Sequence, residues 1–159
     1  MTSRIGIGYD VHRLVEGIPF RLGGLTIPFH KGAEGHSDAD TLIHALCDAL
    51  LGAVASGDIG LHFPDTSVEF KGIDSAILLK KTYQLILPKG YRIINIDAVV
   101  MLQEPKIRPY IEEMRSNIAA VLGMDFDDVS IKATTTEKLG FIGMGEGVAA
   151  EVVVLLQGN

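Results

Sequence analysis

Residues 5–12 read IGIGYDVH, and the arrangement of the rest of the chain follows from this stretch. Its apolar, glycine-spaced first half predicts a buried β-strand. Side chains two positions apart on a strand project from the same face, so Asp10 and His12 are expected to lie together at the end of this strand. A carboxylate and an imidazole in this arrangement suit a divalent metal ion, zinc above all, although two ligands do not complete a site. The alternative is that Asp10 caps a turn and His12 is a surface residue.

The composition is typical of a protein with a single hydrophobic core. The chain has 159 residues, 47% of them hydrophobic and 21% charged, and we expect one domain over residues 1–159. No apolar run is long enough to cross a membrane and no signal peptide precedes the first strand, so no membrane association is expected. The single cysteine, Cys47, excludes an intramolecular disulfide and favours a reducing compartment, so we expect a cytoplasmic location. The net charge of -6 argues against a nucleic-acid-binding protein.

The pattern of apolar residues predicts the element order β-β-α-α-β-α-β-β. Two successive helices and a long final strand do not fit a doubly wound sheet. We therefore expect an α+β fold, a single-domain sandwich of a mixed β-sheet with three helices packed on one face. Residues 56–73 form a long irregular segment, and segments of this length are usually functional lids or disordered. The predicted elements are strands from about 5 to 12 and at 21–28, 91–103, 129–133 and 147–156, and helices from about 40 to 55, from 74 or 75 to about 87, and from 106 or 109 to 122.

His44 lies on a flank of the first predicted helix, with Asp40 one turn before it and Asp48 one turn after it. A histidine on a helix is usually solvated or hydrogen-bonded, with no ligand role. However, carboxylates at i−4 and i+4 are placed to accept the N–H of an imidazole whose other nitrogen binds a metal. Of the two, Asp48 is predicted to fix the tautomer of His44 in this way.

A second polar cluster, TTTEK at residues 134–138, follows a predicted strand. Hydroxyl groups and exposed N–H groups bind phosphate oxygens, and the Glu137 carboxylate suits a magnesium ion that bridges phosphates. The alternative is a turn that resembles a capping box, formed by Thr134 and Glu137.

Four motifs, in order and in register, resemble one enzyme family. They are YDVH at 9–12, HSDAD at 36–40 with His44, GDIG at 57–60 with FPD at 63–65, and KATTTEKLGF at 132–141. From Ile5 to Leu156 the chain resembles 2-C-methyl-D-erythritol 2,4-cyclodiphosphate synthase, of the methylerythritol phosphate route to isoprenoids. The resemblance implies a lyase-type enzyme that cyclises 4-diphosphocytidyl-2-C-methyl-D-erythritol 2-phosphate and releases CMP. It also implies a homotrimer with active sites between subunits.

The resemblance further implies a role for each matching residue. One zinc ion is held by Asp10, His12 and His44, and its fourth position is left for a substrate phosphate. A second divalent ion, Mg²⁺ or Mn²⁺, is held by Glu137, while His36 and Thr135 stabilise the transition state. Asp58 and Gly60 hold the methylerythritol portion or neighbouring hydroxyls, and residues 102–108 with Thr134 form the cytidine pocket. The residues implied to bind the substrate are Asp10, Val11, His12, His36, Ser37, Asp58, Ile59, Gly60, Phe63, Asp65, Leu102, Gln103, Glu104, Pro105, Lys106, Ile107, Arg108, Thr134, Thr135, Thr136, Glu137 and Phe141.

One position departs from the family pattern. Family members commonly have an arginine where this chain has Met144. That arginine would contact a phosphate and line the cavity on the trimer axis, where some members hold an isoprenoid diphosphate. Met144 carries no charge, so neither the contact nor the axial ligand is expected here.

Three other functions stay open on the sequence alone. The first is a non-catalytic protein with a structural zinc ion, in which Cys47 serves as a fourth ligand. The second is a zinc-dependent nucleotide phosphohydrolase, which would release a linear phosphate product together with CMP. The third is a nucleotide-binding module without turnover.

Overall fold

The computed structural model describes residues 2–158, so only Met1 and Asn159 of the predicted domain lie outside the described residues. The strands are β1 (Ser3–Glu16), β2 (Phe20–Leu22), β3 (Leu25–Ile27), β4 (Lys31–Ala33), β5 (Tyr91–Met101), β6 (Val129–Thr134) and β7 (Gly147–Gly158). The α-helices are α1 (Thr41–Ala53), α2 (Ile59–His62), α3 (Ser75–Ile86), α4 (Ile111–Leu122) and α5 (Gly140–Gly143).

Five strands form one mixed sheet in the order β4-β1-β7-β5-β6, and β2 and β3 form a separate hairpin. β5 and β6 run parallel, whereas the other neighbouring pairs of the large sheet are antiparallel. The prediction of an α+β fold with a mixed sheet is therefore confirmed. Within the described residues no helix combines the length and the apolar character that a bilayer crossing requires.

The three predicted helices correspond to the long helices α1, α3 and α4, but the predicted number of three is too low. The described part of the chain also contains α2 and α5, which have 4 residues each. A helix of a single turn is too short for a 3.6-residue period to show in the sequence. Residues 56–73 were predicted to be irregular, but this segment contains α2 and a 3-10 turn at Val68–Phe70.

β1 is longer than predicted and continues to Glu16. Asp10 and His12 thus lie in the middle of the strand, where Asp10 is opposite Ala150 of β7 and His12 is opposite Val148. The last residues of β1 pair with β4. Backbone pairing with two neighbours extends the strand through polar residues where the apolar sequence pattern has ended.

One face of β1 is packed against α1, and two glycines make this contact possible. A Cβ atom on Gly6 would lie 1.9 Å from the carbonyl oxygen of Ala49, and one on Gly8 would lie 1.8 Å from that of Ala45. Any side chain larger than hydrogen would collide with the helix backbone, so the helix lies directly on the strand. This close approach brings His44 of α1 beside Asp10 and His12 of β1.

The start of α1 is fixed by Asp40, which is fully buried. Its carboxylate caps the helix by accepting from the N–H of Ile43 at 3.1 Å. It also accepts from the N–H groups of Gly23 at 2.9 Å and Gly24 at 2.7 Å, in the turn between β2 and β3. One side chain therefore joins the hairpin to the helix that carries His44.

Candidate active site

Asp10, His12 and His44 bring three potential ligand atoms together beside a cavity. The Asp10 Oδ2 atom lies 2.9 Å from Nε2 of His12 and 3.2 Å from Nδ1 of His44. The two imidazole nitrogens are 3.2 Å apart. Asp10 Oδ2 is shielded from solvent and none of its close contacts has hydrogen-bond geometry. Three potential ligand atoms thus converge on one point beside the cavity.

These separations fit a bound divalent ion. Atoms held about 2.0–2.1 Å from a tetrahedral zinc ion lie about 3.3–3.4 Å from one another, close to the observed spacing. Two imidazoles and one carboxylate with a side open to a cavity are the ligand set of a catalytic metal. Among the residues that the structure describes, these three form a possible metal site.

Both imidazoles are oriented by hydrogen bonds on their other nitrogens. Nδ1 of His12 lies 2.8 Å from the carbonyl oxygen of Glu34. A carbonyl only accepts, so Nδ1 carries the hydrogen and Nε2 keeps its lone pair. Nε2 of His44 lies 2.9 Å from Oγ of Ser75 and 3.0 Å from Oγ of Ser37.

The structure corrects the prediction that Asp48 is the partner of His44. The Asp48 carboxylate instead accepts from the N–H of Ile59 at 2.8 Å and so holds the start of α2. Ser75 takes the predicted place, although it is 31 residues distant from His44 in the sequence. Helical spacing identifies neighbours on one helix and cannot reveal a partner from another. From the sequence, Asp74 and Ser75 were predicted only as the start of a helix, without any contact to His44.

Asp10 and His12 each shift the pKa of the other. Burial acts to raise the pKa of Asp10, but the neighbouring imidazoles of His12 and His44 outweigh it and lower that pKa. Burial acts to lower the pKa of His12, but the neighbouring Asp10 carboxylate outweighs it and raises that pKa. In the metal-free protein a proton on His12 therefore competes with a metal ion for the same lone pair.

Cys47, the fourth ligand in the structural-zinc alternative, does not belong to this group. Its side chain projects from α1 and is fully buried in the hydrophobic core. Burial raises the pKa of the Cys47 thiol to about 12, so the thiol stays protonated at neutral pH. A protonated thiol in the core is not a metal ligand.

The three possible ligands line a cavity of about 310 Å³. Of the other predicted substrate contacts, His36, Ser37, Ile59, Gly60, Phe63 and Asp65 also line it. Nε2 of His36 lies 3.1 Å from the carbonyl oxygen of Ser67, which ties this histidine to the 56–73 segment. Asp58 is not among the lining residues, since its carboxylate caps α2 by accepting from the N–H of Leu61 at 3.0 Å.

A second cavity of about 330 Å³ lies where β5 and β6 end. The N–H of Leu102 donates to the carbonyl of Thr134 at 2.9 Å, which joins the two chain segments. Among the described residues this cavity shares no lining residue with the first. Its lining residues are Leu102, Gln103, Pro105, Lys106, Ile107, Arg108, Ile111, Ala133, Thr134 and Thr135.

The remaining predicted contacts lie elsewhere on the monomer. The side chain of Val11 is on the exposed face of β1 and lines a separate cavity with Phe141. Glu104 lines another, together with Met144. Thr136 donates to the carbonyl of Leu139 at 2.7 Å. Among these residues Val11 and Phe141 share their cavity with His12, one of the three possible metal ligands, whereas Glu104 does not line a cavity with any of them.

The exposed Glu137 lies in the left-handed region of backbone conformation, with φ 54°. Its N–H donates to Oγ1 of Thr135 at 3.3 Å, and its carboxylate accepts from the same hydroxyl at 3.3 Å. The Thr134 hydroxyl donates to the carbonyl oxygen of Thr135 at 3.0 Å, and the N–H of Glu137 is bound by Thr135, so Thr134 and Glu137 do not form the turn that the capping-box alternative required. The Glu137 carboxylate is left on a tight polar turn where it faces solvent.

Residues 3–157 match the model of the YgbB family. This chain belongs to the YgbB family. A relative from Laribacter hongkongensis, named 2-C-methyl-D-erythritol 2,4-cyclodiphosphate synthase, is 57% identical over 99% of this chain and 97% of its own length. A relative of the same name from Geobacillus kaustophilus is 58% identical over 97% of this chain and 98% of its own length. The sequence resemblance and the prediction of a lyase-type enzyme are thereby confirmed.

Solved structures match the fold closely. A structure of 2C-methyl-D-erythritol-2,4-cyclodiphosphate synthase described as a CDP-bound form superposes with a TM-score of 0.90 at 38% identity, over 97% of this chain and 100% of that one. The bifunctional IspDF from Campylobacter jejuni has a TM-score of 0.96 at 45% identity over 99% of this chain. This chain spans only 43% of the length of that bifunctional protein.

Proposed function

We propose that this member of the YgbB family cyclises 4-diphosphocytidyl-2-C-methyl-D-erythritol 2-phosphate to 2-C-methyl-D-erythritol 2,4-cyclodiphosphate and releases CMP, in the methylerythritol phosphate route. The observation that carries the proposal is the convergence of Asp10, His12 and His44 on one cavity. The name shared by the relatives supports the same reaction.

The reaction is an internal phosphoryl transfer. An oxygen of the 2-phosphate forms a bond to the β-phosphorus, and the bond from that phosphorus to the oxygen shared with the α-phosphate breaks. The electron pair of that bond leaves with CMP. Because the attacking oxygen is already an anion, the site needs no strong base and has to supply alignment and charge neutralisation.

We propose zinc for the Asp10, His12 and His44 site and Mg²⁺ or Mn²⁺ for the Glu137 carboxylate. A divalent ion at these positions supplies positive charge to phosphate oxygens. The chain itself contributes the hydroxyl of Ser37, which lines the same cavity as the three ligands. His36 and Thr135 are proposed to stabilise the transition state by donating hydrogen bonds to phosphate oxygens.

The second cavity is the proposed cytidine pocket. Two of its lining residues, Lys106 and Arg108, are cations in a chain with a net charge of -6. Local cations of this kind attract an anionic nucleotide that the overall charge would repel. Exposed polar groups at the ends of β5 and β6 are available to hydrogen-bond the base.

We further propose a homotrimer whose active sites combine the first cavity of one subunit with the second cavity of a neighbour. The face of β1 opposite α1 supports this, since its apolar side chains are exposed by between 44% for Val11 and 72% for Ile5. A continuous apolar row on a sheet is typical of a subunit interface. Light scattering coupled to size-exclusion chromatography should give three times the chain mass, and a monomer at micromolar concentration would contradict the trimer.

Phosphorus NMR of the purified protein with the diphosphocytidyl substrate tests the proposed reaction. With zinc and magnesium present we expect signals of the cyclic diphosphate and CMP, and with a chelator we expect neither. A linear phosphate with CMP would instead indicate the phosphohydrolase. Absence of turnover in a folded, zinc-loaded sample would refute the enzyme function and leave a binding or structural role.

A further inference from the structure

Ser75 and Asp38 form a hydrogen-bonded pair behind His44, on the side opposite the possible metal site. The Ser75 side chain is fully buried at the first position of α3. Its Oγ is hydrogen-bonded to Oδ1 of Asp38 and lies 2.9 Å from Nε2 of His44. The sequence predicted no contact between either residue and His44.

The chemistry of the three groups fixes the direction of each hydrogen bond. An ionised carboxylate only accepts, so the Ser75 hydroxyl donates its hydrogen to Asp38. Having used its hydrogen, that hydroxyl meets His44 with a lone pair and accepts the N–H of Nε2. A neutral imidazole carries one N–H, so Nδ1 of His44 is left with the lone pair that a metal ion requires.

Asp38 is itself held in place from several directions. Its Oδ2 accepts from the backbone N–H of Ser75 at 2.9 Å and lies 3.7 Å from Nε of Arg21. Its Oδ1 also accepts from the N–H of Asp40 at 3.2 Å. The carboxylate therefore cannot turn away from Ser75 without losing these contacts, and the serine hydroxyl keeps one orientation.

The same arrangement leaves the hydroxyl of Ser37 available. Ser37 lines the cavity, whereas Ser75 does not. Oγ of Ser37 accepts from the N–H of Ala39 at 3.2 Å and lies 3.0 Å from Nε2 of His44. Since Nε2 of His44 carries a hydrogen, it cannot accept one from Ser37. The hydroxyl hydrogen of Ser37 is thus free to donate into the cavity.

We propose that Ser75 and Asp38 are positioning residues that hold His44 in the tautomer with hydrogen on Nε2 and leave Ser37 free to donate to a substrate phosphate. The inference rests on the proposed function for its link to phosphate, and on the geometry alone for the tautomer. It assigns different tasks to two serines that lie at similar distances from the same nitrogen.

The test uses Ser75→Ala, Asp38→Asn and their double variant, with the exposed Ser116→Ala on α4 as the matched control. Nitrogen-15 NMR of the metal-free protein reads which ring nitrogen of His44 carries the hydrogen. Titration with Co²⁺, followed by visible absorption, reads the affinity of the metal site. Activity with the diphosphocytidyl substrate separates kcat from KM.

We expect the wild type and Ser116→Ala to hold hydrogen on Nε2 of His44, and Ser75→Ala to give a mixture of tautomers. Co²⁺ affinity should fall about 10–100-fold in Ser75→Ala, as for other groups that orient a ligand histidine. The Co²⁺ affinity of Asp38→Asn should fall by a similar factor, because the asparagine amide can donate to the Ser75 hydroxyl. That hydroxyl can then donate its own hydrogen to Nε2 of His44. The double variant should be no weaker than Ser75→Ala, since Asp38 acts only through Ser75.

An unchanged tautomer with Co²⁺ affinity within twofold of the wild type in either folded single variant would overturn the proposal. Full additivity in the double variant would do the same, because it means that the two residues act separately. If Ser75→Ala does not fold, Asp38→Asn decides the test, because the asparagine side chain is nearly the same size as that of aspartate. The tautomer measurement requires neither metal nor substrate, so its result is distinct from failure of the proposed reaction.

Discussion

His44→Ala should abolish stoichiometric metal binding and reduce turnover of the diphosphocytidyl substrate by about a thousandfold or more. Nδ1 of His44 is 3.2 Å from both Oδ2 of Asp10 and Nε2 of His12, so its loss leaves two ligands on β1. Two ligands do not hold a catalytic zinc ion. A bound metal stabilises transition-state charge by several kcal/mol, and each 1.4 kcal/mol is about a factor of ten in rate.

Chelator competition and phosphorus NMR measure these two losses. The matched control is His30→Ala, which also removes an imidazole but from a side chain that is 61% exposed and lies 3.5 Å from Glu16. This control should bind metal and turn over like the wild type. Full metal content and full activity in a folded His44→Ala protein would contradict the site.

Metal affinity should also depend on pH in a defined direction. Because Asp10 raises the pKa of His12, apparent affinity should fall about tenfold for each pH unit below that pKa for every proton displaced. The free energy of unfolding of the metal-free protein should instead increase as the pH falls. The raised pKa of His12 stabilises its folded state fully below the unfolded pKa, and this contribution is lost as pH rises through the folded pKa.

Gly8→Ala should lower the free energy of unfolding by about 3 kcal/mol or more, beyond the usual range for overpacking. The new methyl group would lie 1.8 Å from the carbonyl oxygen of Ala45 and 2.7 Å from the amide nitrogen of Ala49. Both are backbone atoms of α1, so no side-chain rotation relieves the collision. The helix has to move away from β1, which also moves His44 away from Asp10.

Urea unfolding of Gly8→Ala and Gly52→Ala measures the effect. Gly52 is an exposed glycine of the same helix, and a Cβ atom there has its nearest neighbour at 3.8 Å, the carbonyl oxygen of Ile7. Gly52→Ala should be neutral or stabilising by up to about 1 kcal/mol, because alanine favours helices. Equal unfolding free energies for the two variants would show that the close helix–strand contact does not limit stability.

The sequence was most informative where one local period controls the geometry. The strand period places Asp10 and His12 on one face, and the helix predicted from about residue 40 begins at Thr41, with Asp40 as its cap. The register between elements was not available from these periods. The continuation of β1 to Glu16 depends on pairing with β7 and β4, and the contact of Ser75 with His44 depends on how α3 packs on α1.

The site predictions divide in the same way. Thr134 and Leu102 come together because β5 and β6 are parallel neighbours whose ends coincide, a relation typical of a β-α-β unit. Asp58 was expected to contact substrate, and its capping of α2 was not foreseen because a helix of a single turn leaves no periodic signal. The roles of the site residues, the single domain and the cytoplasmic location stay predictions.

The contact of Gly6 and Gly8 with α1 also bears on the thermodynamics of metal capture. Backbone packed on backbone, with no flexible side chain between, makes the strand and the helix one rigid block. The fold itself therefore holds the three potential ligand atoms at coordination spacing. Ion capture then orders almost no chain, so calorimetry should record a heat-capacity change near zero and a binding entropy dominated by released water.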